Sequence, residues 1–186
     1  MRVIAGALKG RRLKTPTWSG LRPTSDKLRE TLFNILAPRI EGASILDAYA
    51  GTGALGIEAL SRGARAVVFV EEQRRAQALI AENLALCGFE DGYAIIRTTA
   101  ARALEQLVRS AHEPFDIVLL DPPYDLESRQ GFDSILAEAA RVLAPSGVAV
   151  LEHARRQTSP PTVAGLVRLR HVVSGDSALS FYGFTA

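Results

Sequence analysis

The sequence predicts an α/β fold in which helices cover both faces of a mostly parallel sheet. From residue 43 onward, short runs rich in β-branched residues alternate with stretches of helical period. A glycine-rich turn follows the first run, and an acidic residue follows the second. With 186 residues the chain is long enough for one well-buried core and short for two. The alternation of strand-like and helix-like segments is typical of βαβ units.

The predicted strands are seven short apolar runs. They are residues 45–49, 66–70, 93–97, 115–120, 148–152, 167–173 and 179–184. The predicted helices are residues 54–61, 73–86, 100–110 and 132–143. After the prolines at 160 and 161 the alternation stops, so the last two strands are expected to form a closing hairpin around residues 174–176.

The first 40 residues predict a short extension of this fold. Residues 2–5 and 12–15 are expected to pair as a hairpin, with Gly6 and Gly10 on either side of its turn. A helix is expected to follow, capped by Thr24, Ser25 or Asp26. We expect Pro38 to close that helix.

The charge is distributed unevenly along the chain. The net charge is only +2, but residues 1–29 hold eight basic side chains and one acidic one. The rest of the chain holds 14 basic and 19 acidic side chains. A basic segment on a mildly acidic body is typical of an arm that binds a polyanion such as nucleic acid. A solvated charged leader remains the alternative.

The composition excludes several other classes of protein. With 47% hydrophobic and 23% charged residues, the chain resembles ordinary globular proteins, neither disordered nor fibrous. We expect no signal peptide, no membrane span and no membrane partner. The lone cysteine, Cys87, cannot form an internal disulfide, which fits a cytoplasmic protein.

The turn after the first strand predicts a cofactor site. Ligands of such sheets bind at the carboxyl ends of the strands, and Gly51 and Gly53 let the backbone approach a ligand closely. Glu71 is placed to accept hydrogen bonds from both hydroxyls of an adenosine ribose. Asp47 is unfavourable beside a pyrophosphate but favourable near an ammonium group. The sequence therefore favours S-adenosylmethionine over NAD.

The run from residue 121 to 124 follows the fourth strand directly. Its two prolines remove N–H donors, so the turn presents acceptors. If Asp121 and the Pro122 carbonyl accept the two hydrogens of a base amine, the nitrogen lone pair points at the methyl group. Tyr124 would stack on the base, as in pockets for extruded bases. No metal is expected, because the three histidines have no ligand-like spacing.

Several segments together resemble the bacterial 16S ribosomal RNA guanine-N2 methyltransferases of the RsmD type. They are residues 22–26, 29–30, 33–36, 51–64, 121–124 and 175–180. The resemblance covers nearly the whole chain, and the block from residue 22 to 36 is its most specific part.

The resemblance implies a Rossmann-like class I methyltransferase fold with a seven-stranded sheet. Residues 1–20 would be a basic RNA-binding extension and residues 21–186 the catalytic domain. The implied reaction moves a methyl group from S-adenosylmethionine to the N2 amine of a guanine in 16S rRNA. The implied partner is that rRNA within an assembling small ribosomal subunit, and we expect a monomer.

The expected site residues form three groups. Residues at the cofactor are Asp47, Gly51, Gly53 and Glu71, joined through the resemblance by Thr24 and Thr99. Residues that carry the reaction are Asp121, Pro122 and Tyr124. Residues that touch the RNA are Arg2, Lys9, Arg11, Arg12, Lys14, Arg22 and Pro123. Thr99 departs from the family pattern, because an Asp or Asn usually stands there and contacts the adenine.

Three alternatives stay open at this point. The Asp-Pro-Pro-Tyr turn suits any planar amine, so the substrate could be adenine N6 in DNA or a protein amide. The glycine turn also fits an NAD-dependent oxidoreductase. A non-catalytic RNA-binding module on the same fold is the third alternative.

Overall fold

The computed structural model describes residues 1–18, 25–123 and 129–185. These residues form two compact units, Met1–Ala100 and Ala101–Ala186. They contain five helices and eight strands. None of the helices in the described ranges is long and apolar enough to cross a membrane.

The first unit contains three parallel strands and three helices in its described residues. They are α1 Asp26–Ile40, β1 Ser44–Asp47, α2 Ala54–Ser61, β2 Ala66–Val70, α3 Arg74–Leu86 and β3 Tyr93–Ile96. The strand order is β3-β2-β1. Ser44 of β1 lies beside Ala66 of β2, and Val67 of β2 lies beside Tyr93 of β3. All of β1 is buried, as expected for a parallel strand covered on both faces.

The second unit continues with two parallel strands and an antiparallel edge. Its elements are α4 Ala100–Arg109, which begins at the last residue of the first unit, β4 Phe115–Leu120, α5 Arg129–Ala140, β5 Leu143–Ala154, β6 Thr162–Val163, β7 Leu166–Ser174 and β8 Ser177–Phe184. The strand order is β4-β5-β8-β7-β6. β4 and β5 are parallel, whereas β8, β7 and β6 are antiparallel to their neighbours. The predicted closing hairpin is therefore confirmed, with Gly175 in its turn at a φ of 63°.

Four predictions about the elements need correction, the first being the helix predicted at 132–143, which the structure places at Arg129–Ala140. Among the described residues the sheet has eight strands where seven were predicted, because residues 162–163 form the short β6. β5 begins at Leu143 instead of 148, because Phe115 pairs with Leu143 before the register shifts. α1 does not end at Pro38 but runs two residues further, to Ile40. A proline this close to the end removes only one intrahelical bond, the one to the carbonyl of the exposed Asn34.

The predicted N-terminal hairpin is present and lies against the body of the first unit. Arg2 and Arg12 form an antiparallel bridge, and the Val3 N–H donates to the Arg11 carbonyl over 2.9 Å. Val3 and Leu13 are buried, at 1% and 6% exposure. The segment is therefore packed on the rest of the first unit through its apolar side chains, while its cations face solvent.

His153 and His171 of the second unit belong to a hydrogen-bond network around Ser180. His153 is 1% exposed, with Nδ1 3.0 Å from the Ala154 carbonyl and Nε2 3.0 Å from the Ser180 hydroxyl. Ser180 also contacts Ser159 and His171. Since the Ala154 carbonyl only accepts, Nδ1 of His153 donates to it and Nε2 accepts from Ser180. Burial lowers the pKa of His153, which favours this neutral form.

Gly56 fixes how closely α2 packs on β2. A Cβ at this position would lie 2.2 Å from Cε1 of Phe69, whose ring is fully buried. We expect Gly56→Ala to lower the free energy of unfolding by about 1–3 kcal/mol through overpacking. In a Phe69→Leu background, where the ring is gone, the same change should cost less. Urea unfolding of the parent protein, the two single variants and the double variant measures the cost of Gly56→Ala in each background. Equal costs in the two backgrounds would contradict the packing argument.

Candidate active site

The turn between β1 and α2 requires glycine at two positions. Gly51 and Gly53 have φ angles of 53° and 77°, in the left-handed region that glycine tolerates best. Gly53 is the N-cap of α2 and has no side chain to cap the helix. A Cβ on Gly53 would also lie only 3.3 Å from the side chain of Ile80. The loop before α2 therefore has no side chain at Gly51 or Gly53 that could cover its backbone or cap the first turn of the helix.

Glu71, immediately after β2, holds this loop in place. One carboxylate oxygen accepts from the Gly51 N–H over 2.9 Å, and the other accepts from the Gln73 N–H over 2.7 Å. The Gln77 amide donates to the Glu71 carbonyl over 2.8 Å. A carboxylate has about four acceptor sites, so these two bonds leave room for two hydroxyl donors. The predicted contact with a ribose stays a prediction, and the contact with Gly51 is a role that the sequence did not suggest.

Asp47 ends β1 and is 1% exposed. Its Oδ2 accepts from the Gly56 N–H over 3.1 Å and so satisfies one of the free donors in the first turn of α2. The sequence suggested an acid at the lip of the loop, facing an ammonium group. The structure adds a second role in which Asp47 ties the strand to the helix. The ammonium contact stays a prediction.

A cavity of about 480 Å³ lies beside Glu71 and was not predicted. Its lining includes Gln77, which binds the Glu71 carbonyl, together with Glu72, Arg74 and Arg97. The sequence signal for it is weak, since charged residues at strand ends and in helix first turns are common. Thr99 is exposed and directly precedes α4.

The acceptor turn lies in the second unit, at the carboxyl end of β4. Asp121 is partly exposed, Pro122 is buried and Pro123 is exposed. Leu120, the last residue of β4, lies beside Leu151 of β5. Three other predicted site residues, Arg22, Thr24 and Tyr124, lie outside the described residues.

The predicted RNA-contacting cations of the hairpin are all exposed. They are Arg2, Lys9, Arg11, Arg12 and Lys14. Lys14 forms an ion pair with Glu82 over 2.9 Å, and both side chains are about half exposed, at 54% and 53%. Such an exposed pair is weak, so Lys14 can exchange it for another anion.

Sequence reasoning missed the residues that hold the hairpin. Glu58 of α2 is fully buried and accepts from the N–H groups of Ile4 and Ala5, at 2.7 and 3.0 Å. It also accepts from Arg62 over 2.7 Å. Ser61 of the same helix accepts from the Leu8 N–H over 3.0 Å. The available signal was one acid in an otherwise apolar helix, which indicates a buried partner.

Asn83 of α3 joins the hairpin to the glycine turn. Its Oδ1 accepts from the Lys14 N–H over 2.8 Å, and its Nδ2 donates to the carbonyls of Lys14 and Thr52 over 3.2 and 3.1 Å. The residue is fully buried. One side-chain amide therefore contacts both segments.

Comparison with known proteins places the chain in a family. The family model described as Conserved hypothetical protein 95 matches residues 1–183. Ribosomal RNA small subunit methyltransferase D of Escherichia coli K12 is 41% identical over 147 residues, covering 79% of this chain and 68% of the relative. The chain belongs to the RsmD family. The protein of the same name in Haemophilus influenzae is 39% identical over 140 residues, covering 74% and 71%.

A solved structure matches the fold of this chain over its whole length. A hypothetical protein of Thermus thermophilus superimposes on this RsmD-family chain with a TM-score of 0.82 and 27% identity, covering 100% of this chain and 99% of that one. The Rossmann-like class I methyltransferase fold expected from the sequence is confirmed, with eight strands among the described residues. The match of the RsmD family model includes the hairpin, the glycine turn and the acceptor turn.

Proposed function

We propose that this protein transfers a methyl group from S-adenosylmethionine to the exocyclic N2 amine of a guanine in 16S rRNA. Its RsmD relatives are named as ribosomal RNA small subunit methyltransferases. The observation that carries the proposal is the acceptor turn, Asp121 to Pro123, at the carboxyl end of a parallel strand. In this class of fold that edge of the sheet is where ligands bind.

The donor side of the proposal rests on the glycine turn and on Glu71. When bound, S-adenosylmethionine supplies a methyl group on a positively charged sulfur. Glu71 already fixes the Gly51 N–H, so the loop is held before a ligand arrives. Its remaining acceptor sites suit the two ribose hydroxyls, and the negative charge of Asp47 favours the ammonium group. We propose Gly53, Thr24 and Thr99 as further cofactor contacts, with Thr99 giving one hydrogen bond to the adenine.

The acceptor side uses Asp121, Pro122 and Tyr124. Asp121 and the Pro122 carbonyl accept the two amine hydrogens, which turns the nitrogen lone pair toward the methyl group. Tyr124 stacks on the guanine, and Pro123 contacts it from the exposed side of the turn. As the nitrogen–carbon bond forms and the sulfur–carbon bond breaks, the nitrogen gives up one proton to Asp121 or to water.

RNA binding is assigned to the exposed cations of the hairpin and to Arg22. Residues 1–20 serve as the RNA-binding extension of a catalytic domain formed by residues 21–186. The substrate is 16S rRNA within an assembling small subunit, and the enzyme acts as a cytoplasmic monomer. Incubation of labelled donor with rRNA, small subunits, DNA and protein tests this assignment, and mass spectrometry then locates the methylated base. Label in DNA or protein alone would refute it.

Glu71→Ala is expected to weaken donor binding at least about 150-fold, because it removes two hydrogen bonds to a charged acceptor, each contributing about 1.5 kcal/mol or more. It also releases the Gly51 N–H, so the loop loses its support. Calorimetric titration with S-adenosylmethionine measures the change. Glu90→Ala, which removes an exposed acid from a loop, is the control and should bind as the parent protein does. An unchanged Kd for Glu71→Ala would remove Glu71 from the site.

A further inference from the structure

A second cavity, of about 390 Å³, lies between the hairpin and the first turns of α1. We call it the α1 pocket. Arg2 and Lys9 line it from the hairpin, and Asp26, Lys27 and Glu30 line it from the helix. Its volume falls within the range of small-molecule sites. The lining residues thus include three cations and two carboxylates.

Four of the five charged side chains of the α1 pocket are available to a ligand. Arg2, Lys9, Lys27 and Glu30 are all exposed. Within the part of the chain that the structure describes, the side chains of Lys27 and Glu30 form no ion pair with each other or with any neighbour. Opposite charges thus line one cavity without neutralising each other in direct contact.

Arg29 joins the hairpin wall of the pocket to the helix wall. Its side chain is fully buried, and Nη2 donates both to the Arg2 carbonyl and to Asp26, the latter over 2.9 Å. Among the described residues, its Nε and Nη1 have no hydrogen-bond partner. Burial lowers the pKa of Arg29, and the nearby charges of Asp26 and Glu58 oppose that shift. A buried, incompletely paired guanidinium adds positive potential on this side of the protein.

We infer that the α1 pocket binds one nucleotide of the RNA substrate, with its phosphate on the cations and an amine of its base on Glu30. The inference rests on the proposed function, because that function makes RNA the substrate. A site for phosphate alone would not carry Asp26 and Glu30, since carboxylates repel phosphate. A carboxylate only accepts hydrogen bonds, and the exocyclic amines of adenine, cytosine and guanine are donors. The pocket therefore selects a nucleotide with an amine over uridine.

The sign of one mutational effect tests this inference. If the pocket only attracted phosphates, Glu30→Ala would remove a repulsive charge and tighten RNA binding. If Glu30 accepts from a base, Glu30→Ala weakens binding, and we expect about a tenfold rise in Kd from the loss of one charge-assisted hydrogen bond. Alanine is a good helix former, so α1 should remain folded. Fluorescence titration of a 16S rRNA fragment, without donor, measures the Kd.

The cation side of the pocket has its own readout. Lys27→Ala should weaken binding and reduce the slope of log Kd against log salt by about 1. The controls are Glu105→Ala and Arg109→Ala, which remove an exposed ion pair on α4 one partner at a time. Glu105→Ala should raise the Kd for RNA less than Glu30→Ala does, and Arg109→Ala should raise it less than Lys27→Ala does. The Glu30→Ala effect should disappear when the RNA is replaced by an oligouridine of equal length.

The outcomes separate this inference from the proposed function. Unchanged or tighter binding by Glu30→Ala, or an equal loss on oligouridine, overturns the nucleotide pocket even if methyl transfer is normal. Conversely, RNA that binds through Glu30 and Lys27 but is never methylated overturns the proposed function and leaves the pocket standing. Circular dichroism and urea unfolding confirm that each variant is folded.

Discussion

Asp121→Ala is expected to reduce methyl transfer to rRNA about 1000-fold, within the range of effects for a group that positions a reactant and takes its proton. The substitution removes one of two acceptors for the amine, so the nitrogen lone pair is no longer held toward the methyl group. Donor binding should stay unchanged, because the proposed donor contacts come from other segments. Single-turnover methyl transfer and calorimetric donor titration together measure both quantities.

Two further variants sharpen this result. Asp121→Asn keeps one acceptor oxygen but is not a base, so it should retain more activity than Asp121→Ala. Asp116→Ala removes an exposed acid from the other end of β4 and should leave the rate unaffected. If Asp121→Ala transferred methyl groups as fast as the parent protein at even one pH, the proposal that this turn binds the amine would be wrong.

Glu58→Ala is expected to lower the free energy of unfolding by about 3–5 kcal/mol, the cost of breaking a buried ion pair. The change removes the acceptor for two hairpin N–H groups and leaves the Arg62 guanidinium without its partner at 2.7 Å. A loss of this size is a large share of the stability of a typical domain. Urea unfolding measures the change.

The hairpin provides a local readout for the same variant. Amide exchange at Ile4 and Ala5 should accelerate in Glu58→Ala even under conditions where the rest of the first unit stays protected. Glu82→Ala is the matched control, because it also removes an acid that contacts the hairpin. That pair is exposed, so its loss should cost less than about 1 kcal/mol. Equal losses in the two variants would contradict the role assigned to Glu58.

The fold was predictable where the signal was local. The buried strands at 66–70 and 115–120 and the helix at 54–61 have the predicted bounds, because uninterrupted apolar runs lie between clear turn residues. The helix predicted at 132–143 ends earlier, at Ala140. There the chain tightens into i to i−3 hydrogen bonds at Arg141 and Val142, which apolar periodicity does not reveal.

The candidate site was predictable as a set of residue types at strand ends, but the hydrogen bonds within it were not. Asp47 and Glu71 were identified as acids at the glycine turn. Their hydrogen bonds to the Gly56 and Gly51 N–H groups depend on tertiary packing. The hairpin anchors Glu58 and Asn83 bind residues 53 to 69 positions away in sequence, and no periodic pattern records such pairs.

The amide of Asn83 has a mechanical consequence. The side chain of Asn83 is bonded both to the hairpin and to the loop after β1. Neither segment can therefore be displaced alone without leaving a buried polar group without its hydrogen-bond partner. We therefore expect the hairpin and the loop after β1 to move together. Under the proposed function, a displacement of the hairpin by bound RNA is therefore transmitted through Asn83 to the loop that binds the donor.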